Sequence, residues 1–172
     1  ENYGKKFYGP STLRTGIEKS RNLMTVRIAQ NIGIKKIVNF SKKLNIYDNP
    51  QELMSISLGS AETTLLKLTT AYCSFINGGK IIDPIFVDRI QDSEGNTIYN
   101  SEKRICKKCS EISFHSEEIP KITDNFPQIF SPETAYQITS MLEGAVQRGT
   151  GKRLRDLNLD LAGKTGTTNE NT

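Results

Sequence analysis

The chain has no tryptophan, a single histidine (His115) and only three cysteines. One histidine excludes any site that needs several, such as a histidine-rich metal centre. No apolar run approaches the roughly 18–20 residues of a membrane-spanning helix, and no signal peptide is visible. Hydrophobic residues are sparse as well. They make up 35% of 172 residues, or about 39% with the 13 glycines counted and the 6 tyrosines left out, against roughly 45–50% for a typical soluble domain. The core is therefore expected to be lean: either a loop-rich domain, or a piece of something larger whose remaining core lies elsewhere. The chain opens at Glu1-Asn2-Tyr3 without an initiator Met. We expect any targeting or anchoring segment to lie outside it.

The charge is nearly balanced, with 23 basic and 19 acidic residues and a net +4. The basic residues are scattered as pairs (Lys5-Lys6, Lys35-Lys36, Lys42-Lys43, Lys107-Lys108) rather than gathered into a stripe with interleaved aromatics. That pattern fits a solvated surface and not a nucleic-acid partner. Cys106-Lys107-Lys108-Cys109 has CxxC spacing, but the second pair or histidines that a zinc site requires are missing. A local loop disulfide, free thiols and a chemical role all stay open. Cys73 falls on the apolar stripe of a helix and reads as a small core residue.

Periodicity and punctuation give the elements. Gly9-Pro10 breaks an extended lead-in, and Ser11 offers an N-cap to a helix over about 12–19. A helix over about 22–32 carries Met24, Ile28 and Ile32 on one face, widened by Val26 and Ala29, and Gly33 ends it. Another over about 35–44 carries Ile37, Phe40 and Leu44. Ser60 offers a cap to a helix over 61–77, lined by Leu65, Leu68, Tyr72, Cys73 and Ile76 and ended by Gly78-Gly79. Residues 85–91 and 97–99 flank Asp92-Ser93-Glu94-Gly95-Asn96, a hairpin signal. The stretch 100–130 is polar and poorly periodic and reads as a long insertion. Ser131-Pro132-Glu133 sets a hydroxyl cap, a proline and an acid at the start of a helix that runs to about 147, with Ala135, Ile138, Met141, Leu142 and Ala145 inward. Leu157, Leu159 and Leu161 alternate and lead into Gly163-Lys164-Thr165-Gly166-Thr167-Thr168, which reads as a strand.

Two short motifs carry chemistry. Ser20-Arg21-Asn22 opens a helix, where Ser20 alone would serve as an ordinary N-cap. Lys164-Thr165-Gly166 alone would be an ordinary turn. Together and in this order they resemble the second and third active-site elements of penicillin-recognising serine transferases. Further blocks carry the likeness: Tyr8 to Arg14, Leu58 to Thr64, Ala71-Tyr72, Asn77 to Gly79, Gly144 to Val146 and Gly149-Thr150-Gly151. The chain is most similar to class A penicillin-binding proteins, of the 1A type of peptidoglycan synthase.

That resemblance implies acyl transfer from a D-Ala-D-Ala stem peptide, which needs a nucleophile, a base, a donor to the leaving amine, an oxyanion hole and a clamp for the terminal carboxylate. Ser20 would relay the proton. Asn22 would bond the substrate amide and hold the catalytic lysine. Lys164 would supply positive potential, and Thr165 and Thr167 would bind the carboxylate. Gly166, having no side chain, would let the substrate backbone lie along a strand edge. Arg21 has no role assigned, and His115 is expected to be exposed and non-catalytic. The family's Ser-x-x-Lys is missing, since no serine here has a lysine three residues later.

The expectation is therefore an α+β, mostly helical piece (1–172) of a D,D-transpeptidase domain. Nucleophile, base and further strands would lie outside it, so the piece itself would be inactive. The resemblance implies a glycosyltransferase domain elsewhere in a bifunctional cell-wall synthase, an inner-membrane anchor, a periplasmic location, inhibition by β-lactams and no metal or organic cofactor. Bare strand edges around Lys164 would favour pairing with a second copy. A serine β-lactamase or class B transpeptidase, and a non-catalytic sensor or scaffold, are the competing readings.

Overall fold

A computed structural model describes residues 7–102, 104–107, 109 and 119–166. These fall into two units, one of residues 1–81 and 128–172, the other of residues 82–127.

The first unit is helical. Helix α1 (Leu13–Glu18) is capped by Thr12, whose hydroxyl accepts the Thr15 N–H. The expected cap, Ser11, instead donates to the Gly9 carbonyl and accepts from the Arg21 guanidinium. Helix α2 (Asn22–Ile32) and α3 (Ile34–Lys43) meet at Gly33, whose φ of 94° lies in the left-handed region that favours glycine. A short 3₁₀ turn, Met54–Leu58, packs on both. Helix α4 (Leu65–Ile76) starts four residues later than the apolar pattern predicts, because Thr64 makes the cap to the Lys67 N–H. Ser60 instead donates its hydroxyl to Ser55. Helix α5 (Pro132–Gln147) begins as expected at Ser131, which caps the Thr134 N–H. It packs on α1, on α4 and on a second 3₁₀ turn, Lys152–Leu157.

The core is lean, as the composition predicts. Among the described residues the enclosed apolar side chains are Ala29, Val38, Leu44, Ile56, Ala71, Ala135, Leu142, Ala145 and Val146. Helix α4 turns its small residues Ala71 and Ser74 inward, and its Phe75 carbonyl accepts from the Thr139 hydroxyl of α5. Its larger apolar residues are left outside: Leu65 is 82% and Ile76 78% exposed. Cys73 is half-buried rather than enclosed. A run of aromatic contacts, Tyr72 to Phe75 to Phe130 to Phe40, joins α4, the segment before α5, and α3, with centroids 5.6, 5.6 and 6.1 Å apart. Gly79 (φ 84°) is required where residues 128–130 cross behind it, since a Cβ there would fall 2.0 Å from the Phe130 carbonyl oxygen.

Among its described residues the second unit holds two antiparallel strand pairs. Strand β1 (Arg89–Gln91) pairs with β2 (Thr97–Asn100), with an irregularity at Ile90/Gln91. The Asp92 carboxylate closes the turn by accepting the backbone N–H groups of Glu94 and Asn96. The polar stretch contains the second pair, β3 (Ile105–Lys107) with β4 (Lys121–Thr123). Cys106 and Cys109 are joined in a disulfide, which decides among the three readings of the CxxC spacing. His115 and Thr167 lie outside the described residues. Both two-stranded sheets among the described residues use other segments than Lys164–Gly166, which makes no strand pairing there.

Candidate active site

The two motifs, 144 residues apart, meet in the first unit. The Lys164 Nζ donates to the Ser20 hydroxyl oxygen at 2.7 Å and to the Thr165 carbonyl oxygen at 2.8 Å. Local chain geometry sets up the Ser20 end. Ser20 does not cap α2; Arg21 holds the cap position, and its side chain makes no bond to the helix. Ser20 instead has φ 51°, a left-handed conformation that is uncommon for a non-glycine residue. Such outliers persist only where their surroundings over-determine them.

The surroundings here do so. Glu18, two residues before Ser20, is 5% exposed. Its two carboxylate oxygens accept from Arg148 Nε at 3.0 Å and Nη2 at 2.5 Å. Arg14 Nη1 stands 3.6 Å from the same carboxylate and donates to the Ser140 carbonyl. Lys19 Nζ donates to the Arg148 carbonyl. The Thr150 N–H donates to the Glu18 carbonyl at 3.0 Å. Two glycines make room for this clamp between the ends of α1 and α5. A Cβ on Gly144 would lie 2.1 Å from Glu18 Oε1, and one on Gly149 would lie 2.2 Å from the Glu18 carbonyl oxygen.

The other end is held by fewer bonds among the described residues. The Gly163 N–H donates to the Leu142 carbonyl. The Thr165 hydroxyl lies 2.6 Å from that of Thr150. A Cβ on Gly166 would meet nothing within 4 Å, so the backbone there is open to an approaching chain. Asn22 opens α2 and is exposed. Arg21 turns away from the pair, stacking on the Tyr8 ring at 4.1 Å and bonding Ser11.

The electrostatics follow from this packing. Lys164 is exposed as a residue, yet the protein around its ammonium head excludes enough water to lower its pKa from the ordinary 10.5. An ammonium has only donors to offer. Ser20 Oγ is therefore the acceptor, and its own proton points elsewhere. A hydroxyl so polarised is suited to passing a proton to a neighbouring amine.

Of the residues expected from sequence, the structure brings Ser20, Lys164 and Thr165 together. Asn22 follows closely after Ser20 in the chain and makes no side-chain hydrogen bond among the described residues, and Gly166 follows Thr165 with no side chain to offer. Glu18, Arg148 and Thr150 were missed as site-forming residues. The Gly149-Thr150-Gly151 block was visible as part of the family likeness, but nothing local links Glu18 to a residue 130 positions away.

The whole chain, residues 1–172, matches the family model of the penicillin-binding protein transpeptidase domain. It is 45% identical over 174 residues to penicillin-binding protein 1A of Rickettsia bellii, covering 99% of this chain and 22% of that protein. It is 30% identical over 195 residues to penicillin-binding protein 1A of Pseudomonas aeruginosa, covering 95% of this chain and 24% of that protein. Among solved structures it is similar to penicillin-binding protein 1A from Haemophilus influenzae, with TM-score 0.80 and 30% identity, covering 98% of this chain and 28% of that one. It also shares its fold with the D,D-transpeptidase domain of a peptidoglycan glycosyltransferase from Eggerthella lenta, with TM-score 0.70 and 21% identity, covering 97% of this chain and 44% of that one. The chain thus spans under a quarter of the length of these curated relatives.

Proposed function

We propose, from the premise that this chain belongs to the penicillin-binding protein transpeptidase family, that it forms the proton-relay and carboxylate-binding side of a D,D-transpeptidase site. The observation that carries this is the 2.7 Å bond between Lys164 Nζ and Ser20 Oγ, which joins the two motifs.

The reaction is acyl transfer in two steps. A serine oxygen bonds to the carbonyl carbon of the penultimate D-Ala, and the C–N bond to the terminal D-Ala breaks. The leaving amine departs with a proton. An acceptor amine then attacks the same carbon and gives up a proton, and the serine oxygen leaves as the hydroxyl, taking up a proton. Ser20 relays the proton to the leaving amine, with Lys164 holding its oxygen and lowering the cost of negative charge there. Asn22 bonds the substrate amide. Thr165 and Thr167 bind the terminal carboxylate, and the open backbone at Gly166 receives the substrate chain.

In this reading the nucleophilic serine and its lysine base come from a segment preceding Glu1, so the 172 residues alone are not acylated. Parts of the domain outside the chain cover the apolar side of α4. The whole protein is a bifunctional synthase, anchored in the inner membrane and working on its periplasmic face, with a glycosyltransferase domain beside this one. Its partners are stem peptides ending in D-Ala-D-Ala and the β-lactams that mimic them.

Incubating the full-length protein with a fluorescent penicillin tests the reading. We expect covalent, serine-linked label that unlabelled penicillin blocks. A folded full-length protein that takes no label is a scaffold or sensor and not a transpeptidase.

A further inference from the structure

One residue is bonded to the segments of both motifs, and no role has been given to it. Thr150 donates its backbone N–H to the carbonyl of Glu18, two residues before Ser20, at 3.0 Å. Its hydroxyl lies 2.6 Å from the hydroxyl of Thr165, the neighbour of Lys164. The two ends differ in rigidity. Glu18 is buried and locked by both nitrogens of Arg148, and Gly149 fits against the Glu18 carbonyl with no room for a Cβ. Thr150 therefore keeps its place whether or not the Lys164–Gly166 segment moves. That segment forms no strand pairing of its own among the described residues.

We propose that Thr150 is a positioning residue that sets the direction of the Thr165 hydroxyl. This rests on the reading above, in which Thr165 binds the terminal carboxylate of the donor peptide. A hydroxyl has one proton and two lone pairs. In a bond between two hydroxyls only one proton lies between the oxygens. When Thr150 supplies it, an acceptor site of Thr165 is filled and the Thr165 proton is free for the carboxylate. Bonds in such a chain polarise one another, so the Thr165 hydroxyl also becomes a better donor. Without Thr150 the Thr165 hydroxyl rotates freely, and its ordering must be supplied at each binding event. Thr150 itself does not touch the substrate in this arrangement.

The test uses the full-length protein, with donors that end in a free carboxylate or in the matching carboxamide. Thr150→Val keeps the shape of the side chain and removes the hydroxyl. We expect it to raise KM for the carboxylate donor by about tenfold, the scale of one hydrogen bond to a charged group, with a smaller change in kcat. The preference for carboxylate over carboxamide should shrink by the same factor. Thr150→Ser should restore it to within about threefold, because the hydroxyl returns. In a Thr165→Val background, Thr150→Val should cost nothing further. A valine variant that weakens both donors equally shows a merely structural role and overturns the inference. So does a carboxylate preference that no Thr150 variant changes while the wild type is acylated normally. A wild type that forms no acyl-enzyme with either donor overturns the transpeptidase reading, and this inference with it. If Thr150→Val does not fold, Thr150→Ala, which also removes the hydroxyl, takes its place alone and combined with Thr165→Val. Additive losses there contradict a shared hydroxyl pair.

Discussion

Removing Arg148 should cost more stability than removing the charge of its partner Glu18, although each change breaks the same ion pair. The asymmetry comes from burial. The Glu18 side chain is 7% exposed and the Arg148 side chain 57%. Arg148→Met leaves a carboxylate in the interior without its two close donors. Breaking a buried pair in this way costs about 3–5 kcal/mol. Two features reduce that here. Arg148 is more than half in water, so the pair is partly screened, and Arg14 still stands 3.6 Å from the carboxylate. About 2 kcal/mol is therefore expected for Arg148→Met. Glu18→Gln leaves a guanidinium that water already solvates, and the amide oxygen still accepts one of its bonds. About 0.5–1 kcal/mol is expected for that variant.

The assay is urea unfolding of the full-length protein, following the fraction still able to bind a fluorescent penicillin, for both single variants and the double. Glu18→Gln should recover part of what Arg148→Met loses, with a coupling of about 1 kcal/mol or more. Equal costs for the two single variants, or strict additivity, would refute the reasoning from burial.

Two other outcomes follow from the same geometry. Gly149→Ala places a Cβ 2.2 Å from the Glu18 carbonyl oxygen, so the turn must shift. A loss of about 1–3 kcal/mol is expected by the same unfolding assay, with slower penicillin acylation, and an unchanged variant contradicts the fit. Burial holds the Lys164 pKa below the ordinary 10.5. The folded protein therefore releases this proton at lower pH than the unfolded chain. The penalty for burying the charge is full below the folded pKa and is relieved as pH rises from there to 10.5. NMR titration of the Lys164 Cε signal should give a midpoint under 10.5, and one at or above it refutes the desolvation.

The parts of this fold that follow local rules were legible. Helices α2 and α5 match their periodicity to within a residue, and the Ser131-Pro132-Glu133 start of α5 is a local signal that tertiary contacts do not override. The start of α4 was misplaced because two hydroxyls competed for the cap, and Ser60 makes its bond to Ser55 instead. The apolar stripe of α4 was visible, but a period does not say which side meets a neighbour. The side that carries Ala71 and Ser74 is the buried one. The CxxC spacing left three readings open, and the structure, with the two Cα atoms 5.6 Å apart, takes the disulfide. In the site, Ser20 and Lys164 were identified through family likeness, since no local pattern brings together residues 144 apart. The Glu18–Arg148 pair and the Thr150–Thr165 contact are tertiary contacts that no spacing encodes.

The central claim is that Ser20 and Lys164 form one working unit of a transpeptidase site. The most direct measurement is the second-order rate of acylation of the full-length protein by a fluorescent penicillin, in the wild type and in the Lys164→Ala and Ser20→Ala variants. The expected fall is about a hundredfold or more for each, the scale of losing a proton relay or an electrostatic donor, and the double variant should lose little beyond the worse single one. Rates that match the wild type would contradict the account.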